Sequence, residues 1–304
     1  MTEFDLLDDT TRWRQDCERR LRAAYTAAGL DGPATEGMLD GTLRRADDWT
    51  VAGITADGTR VGYVAVHVAE ENGAVDGRIG DLRVEAAHTG RGHERAALEW
   101  AEAWCAERGA EQIRVRLSGA HDGLFDDYGV RGQLRARRID SPPEAVEGFT
   151  ARPMTAAEYP AWVTAEKAEY AGDIARSGAL TPEEARKKSD RDFAQLLPEG
   201  LDTPDNTFLV LEAAGEPIGT GWLKHGYLPG VTYGYSLFVD EKHRGRGFGR
   251  AAMVAGELAT LATGESTLMF SVWGGNEVAM NLYTRTGYRV VEENRSLALP
   301  RSAG

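Results

Sequence analysis

The chain has 304 residues, about two ordinary domains, with 42% apolar residues and a formal net charge of −13. The apolar share excludes wholesale disorder, and the acidic balance argues against nucleic-acid binding, which needs cationic surface. No apolar run approaches the roughly 20 residues that span a bilayer, and the acidic start Met1-Thr2-Glu3-Phe4-Asp5 is no secretory signal.

The first predicted element is a helix over 12–28, followed by a hairpin over 50–68 and a strand over 80–84. The two cysteines, Cys17 and Cys105, fall in helix-like segments. They read as buried thiols in a reducing cytoplasm, and no metal site is expected. From Val84 onward the sequence recurs. Residues 84–132 lie on residues 239–287 at one offset of 155, without a gap. Val84, His88, Gly90, Gly92, Arg95, Gly109, Tyr128 and Gly132 fall on Val239, His243, Gly245, Gly247, Arg250, Gly264, Tyr283 and Gly287. Two alanine-rich helices would match by chance at Ala and Leu, not at a spaced set of Gly, His, Arg and Tyr. The chain therefore reads as a tandem duplication.

Ser141-Pro142-Pro143 is extended and cannot continue a helix, so the domains are expected at 1–143 and 144–304. The second opens with a strand-like run over 148–152. A helix over 160–177 follows, then a second from the capping box Thr181-Pro182-Glu183-Glu184 to about 197. Strands are predicted over 207–211, 218–224 and 232–239, then a helix over 247–263 and a strand over 267–272. A short helix starts at Asn276, and a final strand pair covers 288–292 and 295–299. This is an α/β order whose central sheet is mixed and largely antiparallel, flanked by helices.

Between Val239 and the helix stands Arg244-Gly245-Arg246-Gly247-Phe248-Gly249. A strand, a glycine loop and a helix start form an anion site: loop amides converge, the helix dipole adds positive charge, and glycines let a phosphate approach. A P-loop would need Gly-Lys-Ser/Thr at the helix start, where Gly249-Arg250-Ala251 stands. A dinucleotide fingerprint would need a carboxylate after the next strand, where Trp273-Gly274-Gly275 stands.

The loop fits the pattern Arg/Gln-x-x-Gly-x-Gly/Ala, and Leu237-Phe238-Val239 precedes it. Downstream, Asn276-Glu277-Val278-Ala279-Met280-Asn281-Leu282-Tyr283-Thr284-Arg285-Thr286-Gly287-Tyr288 fits Asn-x-x-Ala-x-x-Leu-Tyr-x-x-x-Gly-Phe/Tyr. The two motifs, in this order, resemble the GNAT superfamily of acyl-CoA-dependent N-acyltransferases, in tandem form. The resemblance implies tandem GNAT folds and acetyl-CoA as co-substrate. It implies cofactor contacts from Leu237, Phe238, Val239, Arg244, Gly245, Arg246, Gly247, Phe248, Gly249, Arg250, Asn276 and Tyr283. It also implies direct attack of a small-molecule or peptide amine on the thioester, with Tyr283 assisting the departing thiolate.

The attacking amine must lose a proton, which calls for a base. Glu166, Glu169, Tyr170 and Asp173 are spaced to share one helix face, and Glu169 is taken as the catalytic carboxylate. His225, Tyr235 and Ser236 are further candidates. The first half departs from the pattern. Thr89 stands for Arg244, Glu94 for Gly249, His121 for Asn276 and Asp127 for Leu282. It is expected to be non-catalytic. A tandem pair can satisfy the interface a dimer would use, which is compatible with a monomer. The competing function is a non-catalytic acyl-CoA sensor.

Overall fold

The computed structural model describes all residues except 45–47, 72–73, 120–122, 177–179 and 301–304. His121 thus lies outside the described residues. In chain order the elements begin with β1 (Thr2–Leu6), α1 (Thr11–Ala27), α2 (Gly32–Leu43), β2 (Thr50–Ala56), β3 (Thr59–Glu71) and β4 (Ala74–Val84). Next come α3 (His93–Ala106), β5 (Gln112–Ser118), β6 (Gly129–Arg138), β7 (Phe149–Pro153), α4 (Tyr159–Arg176) and α5 (Pro182–Leu196). The last are β8 (Asn206–Ala213), β9 (Glu216–Leu228), β10 (Val231–Val239), α6 (Phe248–Ala262), β11 (Thr267–Trp273), α7 (Glu277–Arg285) and β12 (Arg289–Ala298).

The chain forms two compact units. The first comprises Met1–Ala136, Ser271–Thr284 and the chain from Tyr288 on. Its strands run β1-β2-β3-β4-β5-β12-β6, antiparallel except for the parallel pair β4 and β5. One face packs Ala97, Leu98, Ala101 and Cys105 of α3 against Ile54, Val64 and Ile113. The other packs Trp13 and Cys17 of α1 against Val51, Tyr63 and Ala65. Burial pushes the Cys17 thiol up to about 12 and that of Cys105 to about 11, so both are inert packing groups.

The second unit comprises Arg137–Phe270 and Arg285–Gly287. Its strands run β7-β8-β9-β10-β11, antiparallel except for β10 with β11. Trp162 of α4 and Phe193 of α5 pack on Phe208, Val210 and Trp222. The capping box is present: Thr181 Oγ1 accepts from Glu184 N at 3.3 Å, and Glu184 Oε2 accepts from Thr181 N at 2.9 Å.

The duplication is written in the elements. α3 and α6 begin 155 residues apart, as do β5 and β11. The parallel pairing of Asp76–Ile79 with Gln112–Val115 recurs, at that offset, as Val231–Gly234 with Thr267–Phe270. A register shift follows at the matching place in both β4 and β10. The C-terminal segment corrects one expectation, because β12 is one strand and not a pair. Glu292, Glu293 and Asn294 resemble a turn in sequence. In the fold Glu292 accepts the buried Tyr25 hydroxyl at 2.6 Å, and Glu293 accepts from Gln133 at 2.6 Å. With both carboxylates satisfied, the strand runs through them. Among the described residues, no helix is long and apolar enough to cross a membrane.

Candidate active site

The glycine loop has the backbone its sequence promises. Gly245 and Gly247 sit at φ 74° and 86°, in the left-handed region that favours glycine. Nothing lies within 4 Å of where a Cβ would stand at either position. Gly247 caps α6, and its carbonyl takes the Arg250 amide at 3.1 Å, which leaves the Phe248 and Gly249 amides at the open helix start. Arg244 donates through Nε to the Val239 carbonyl at 3.0 Å, its guanidinium 5.4 Å from the Phe238 ring centroid. The Arg246 guanidinium lies 5.3 Å from the Phe248 ring centroid. Open space over two glycines, orphan amides and two cations fit a pyrophosphate.

Leu237, Phe238 and Val239 form the end of β10, paired with Gly221, Thr220 and Gly219 of β9. Glycine at 219 is a packing requirement: a Cβ there would stand 2.0 Å from the Phe238 carbonyl oxygen. Gly219→Ala is expected to lose about 1–3 kcal/mol through the forced strand shift, read as a lower urea midpoint.

A cavity of about 350 Å³ opens beside this strand end. Its walls include Trp162, Glu166 and Glu169 of α4, Gly219 and Thr220 of β9, Phe238 of β10, and Asp240. Ser236 Oγ donates to Glu166 Oε1 at 3.1 Å. Burial pushes the Glu166 carboxyl up to about 7, the Ser236 hydrogen bond opposes this, and the Glu169 charge adds to it. Glu169 is exposed on the same wall.

The acidic helix face therefore divides. Glu166 and Glu169 face the cavity, whereas the Tyr170 hydroxyl donates to Asp192 of α5 at 2.8 Å and Asp173 pairs with Arg176. Tyr235 stacks on Trp222 with centroids 4.3 Å apart. His225 is 8% exposed and held by Thr207 at 2.8 Å and Thr232 at 2.9 Å. Thr232 and Phe238 are six residues apart on β10, about 20 Å of extended chain, so His225 serves the far end of that strand.

Asn276 and Tyr283 belong to the first unit. Asn276 Oδ1 accepts from the Ala279 amide at 3.1 Å and so caps α7. Tyr283 is half-buried, edge-on to Tyr288 with centroids 6.2 Å apart. Burial raises the affinity of its phenol for the proton, and the Arg135 charge opposes this.

The first unit's own copy of the loop keeps the backbone, with Gly90 at φ 72° and Gly92 at 87°. Its chemistry is satisfied internally. Glu94 Oε1 accepts from the Gly90 amide at 3.3 Å. Tyr128, matching Tyr283, is 2% exposed and donates to Glu102 at 2.9 Å. Asp81, matching Ser236, accepts from Trp13 at 2.9 Å and from Arg20 at 2.6 and 3.0 Å.

Comparison with known proteins places this geometry. The profile of the Acetyltransferase (GNAT) family matches residues 8–121 and again residues 173–288. The chain belongs to this family. It is a tandem GNAT acyltransferase, a family that uses acetyl-CoA. A mycothiol acetyltransferase of Kineococcus radiotolerans is 30% identical over 88% of this chain and 88% of its own length. That of Nocardiopsis dassonvillei is 27% identical over 93% of each. The uncharacterised N-acetyltransferase YycN of Bacillus subtilis is 30% identical over 45% of this chain and 90% of its own length. The GCN5-related N-acetyltransferase of Sphaerobacter thermophilus shares the fold, with a TM-score of 0.55 at 18% identity over 98% of this chain and 96% of that one.

Proposed function

We propose that this GNAT protein transfers the acetyl group of acetyl-CoA directly to a primary amine of a small molecule or peptide, with Glu166 as general base. The observation that carries the proposal is the Glu166 carboxyl: on the cavity wall, held by Ser236, and titrating at about 7. A base with that affinity is half ionised at neutral pH and takes a proton from the amine readily. Glu169, one turn along, is better placed at the mouth to hold the incoming ammonium.

Acetyl-CoA supplies the reactive thioester. Gly245 to Arg250 would hold its pyrophosphate, and the main chain of Leu237, Phe238 and Val239 its pantetheine arm. Asn276 caps α7, which fixes the helix that carries Tyr283. Tyr283 stabilises the departing thiolate by a hydrogen bond. A phenol whose proton is held more tightly by burial donates without giving the proton up. Residues 1–143 act as a non-catalytic copy. The Glu94, Tyr128 and Asp81 contacts support this, since Glu94 takes up a loop amide of the first copy and Tyr128 and Asp81 are buried and bonded within it.

Thiol release from acetyl-CoA with a panel of amines tests the proposal. The mycothiol acetyltransferase relatives put a mycothiol-type acceptor in that panel. Tyr283→Phe is expected to lower kcat by about tenfold to a hundredfold, the worth of one hydrogen bond to a charged group. Tight acetyl-CoA binding with no amine turned over would leave a binding protein instead.

A further inference from the structure

We infer that Arg135, on the last strand of the first copy, is a positioning residue for transfer in the second. It anchors the end of α7 and sets a buried cation near Tyr283, which makes the phenol a stronger donor to the departing thiolate. This rests on the reading of Tyr283 as the partner of that thiolate. Arg135 lies on β6, and it and Tyr283 belong to the same unit. Its Nε and Nη2 donate to Gln133 Oε1 at 2.9 and 2.7 Å. Its Nη1 donates to Thr284 Oγ1 at 2.8 Å and to the Tyr288 carbonyl at 3.3 Å. The Thr284 hydroxyl in turn donates to the Met280 carbonyl at 2.9 Å. Arg135 thus grips α7 in its last turn and just beyond it, with Tyr283 the neighbour of Thr284.

A charge in this place is costly. Arg135 is 5% exposed, and its hydrogen bonds go to neutral oxygens. A guanidinium taken out of water without a contacting carboxylate forfeits hydration that no partner charge restores. The acid that acts on it, Glu293 of β12, is itself held by Gln133 at 2.6 Å and by Arg295. Around the phenol stand Arg135 and the Tyr288 ring, edge-on to it. Burial holds the proton on Tyr283, and the Arg135 charge opposes it. A nearby cation favours the ionised form of a phenol, so the hydroxyl donates more strongly where negative charge develops.

The first copy carries the opposite arrangement. Tyr128 and Glu102 stand 155 residues before Tyr283 and Glu257. Tyr128 donates to Glu102 at 2.9 Å, and burial and that carboxylate together hold its proton more tightly. Glu257 accepts from Arg137 at 2.8 Å. Arg135 and Arg137 both come from β6, so one strand answers both repeated groups: Arg137 meets the carboxylate and Arg135 acts on the tyrosine. The charge that the repeated tyrosine feels therefore changes sign between the copies. In the transfer, the amine nitrogen bonds to the acetyl carbon and yields its proton to Glu166. The C–S bond breaks, its electron pair leaves on sulfur, and the Tyr283 hydroxyl donates to that sulfur. A fixed positive charge close by favours this separation.

The test has two arms, both on the full chain. In the first, protein isotope-labelled at tyrosine Cζ is titrated by NMR, the Tyr283 resonance being identified by its loss in Tyr283→Phe. Arg135→Gln should move that titration up by about one pH unit or more, and Arg135→Lys, which keeps the charge, by less than half as much. This arm needs no acceptor. In the second, thiol release from acetyl-CoA is followed with the fastest amine of the panel. Arg135→Gln should lower kcat about fivefold to twentyfold with the KM for acetyl-CoA within about twofold, and should cost nothing further in Tyr283→Phe. Arg135→Lys carries the same cycle should the Gln variant not fold, with a smaller loss that also vanishes in Tyr283→Phe. A Tyr283 titration unmoved by Arg135→Gln, or a kcat loss of equal factor in both backgrounds, reduces Arg135 to a strut and leaves the reading of Tyr283 intact. An undiminished kcat in Tyr283→Phe sinks that reading and the inference with it.

Discussion

Replacing Glu166 by Gln is expected to lower kcat by about 10²–10⁴-fold, the span that a positioned general base contributes. The substitution keeps the shape and a hydrogen-bond acceptor for Ser236, so the wall of the cavity survives. What is lost is the ability to take a proton. The charged and titratable groups around this position are Glu169 on α4, Glu158 before it, and Asp240 after β10, with Ser236 and Trp162 as uncharged neighbours. Burial holds the proton on Glu166, the Glu169 charge adds to this, and the Ser236 and Trp162 hydrogen bonds oppose it. The sign follows. Below about pH 7 the carboxyl is protonated and cannot act, so kcat/KM rises with pH through that value and then levels. The amine's own titration adds a second, higher inflection. In the Gln variant the inflection near neutrality should vanish and the amine's should stay. Stopped-flow thiol release across pH 5.5–9 reads both. A surviving inflection near 7 in the variant would place the base on another residue.

Much of this was legible in the sequence because it depends on local chemistry. The loop needed glycine where φ is positive, and Gly245 and Gly247 are there. Thr181 and Glu184 announce the start of α5, and both halves of that cap form. The repeat predicted an element-by-element match, and the pairing registers of β4–β5 and β10–β11 bear it out. The exceptions have physical causes. α2 carries three glycines among its twelve residues, which lowered its helical signal, although Asp31 and Pro33 mark its start. β12 was split because buried partners, invisible in sequence, satisfy its central carboxylates. Helix periodicity put Glu166, Glu169, Tyr170 and Asp173 on one face and could go no further. Which of them face a cavity depends on where α5 lies, and α5 takes Tyr170 through Asp192. Burial and Ser236, not spacing, single out Glu166.

Gly249→Glu, which writes the first copy's residue into the second, is expected to raise the KM for acetyl-CoA by about 30–1000-fold and to leave kcat at saturation largely intact. The precedent is in the same chain. Glu94 stands four residues after Gly90, and its carboxylate takes the Gly90 amide at 3.3 Å. The loop backbone is the same in both copies, with φ values of 72° and 87° in one and 74° and 86° in the other. A glutamate at 249 can therefore reach the Gly245 amide by the same path. It would occupy a donor meant for pyrophosphate and set a negative charge against the phosphates. Losing a charge-assisted hydrogen bond and adding that repulsion is worth about 2–4 kcal/mol, which gives the stated range. Folding should not suffer. Glutamate is a better helix former than glycine, and an acid in the first turn of α6 gains about 0.3–1 kcal/mol from the helix dipole. The variant should thus melt at the same or a higher temperature and yet bind its co-substrate poorly. Steady-state kinetics and a thermal melt on one preparation separate these effects. A lower Tm together with a lower kcat would mean that glycine at 249 is kept for packing rather than for anion access.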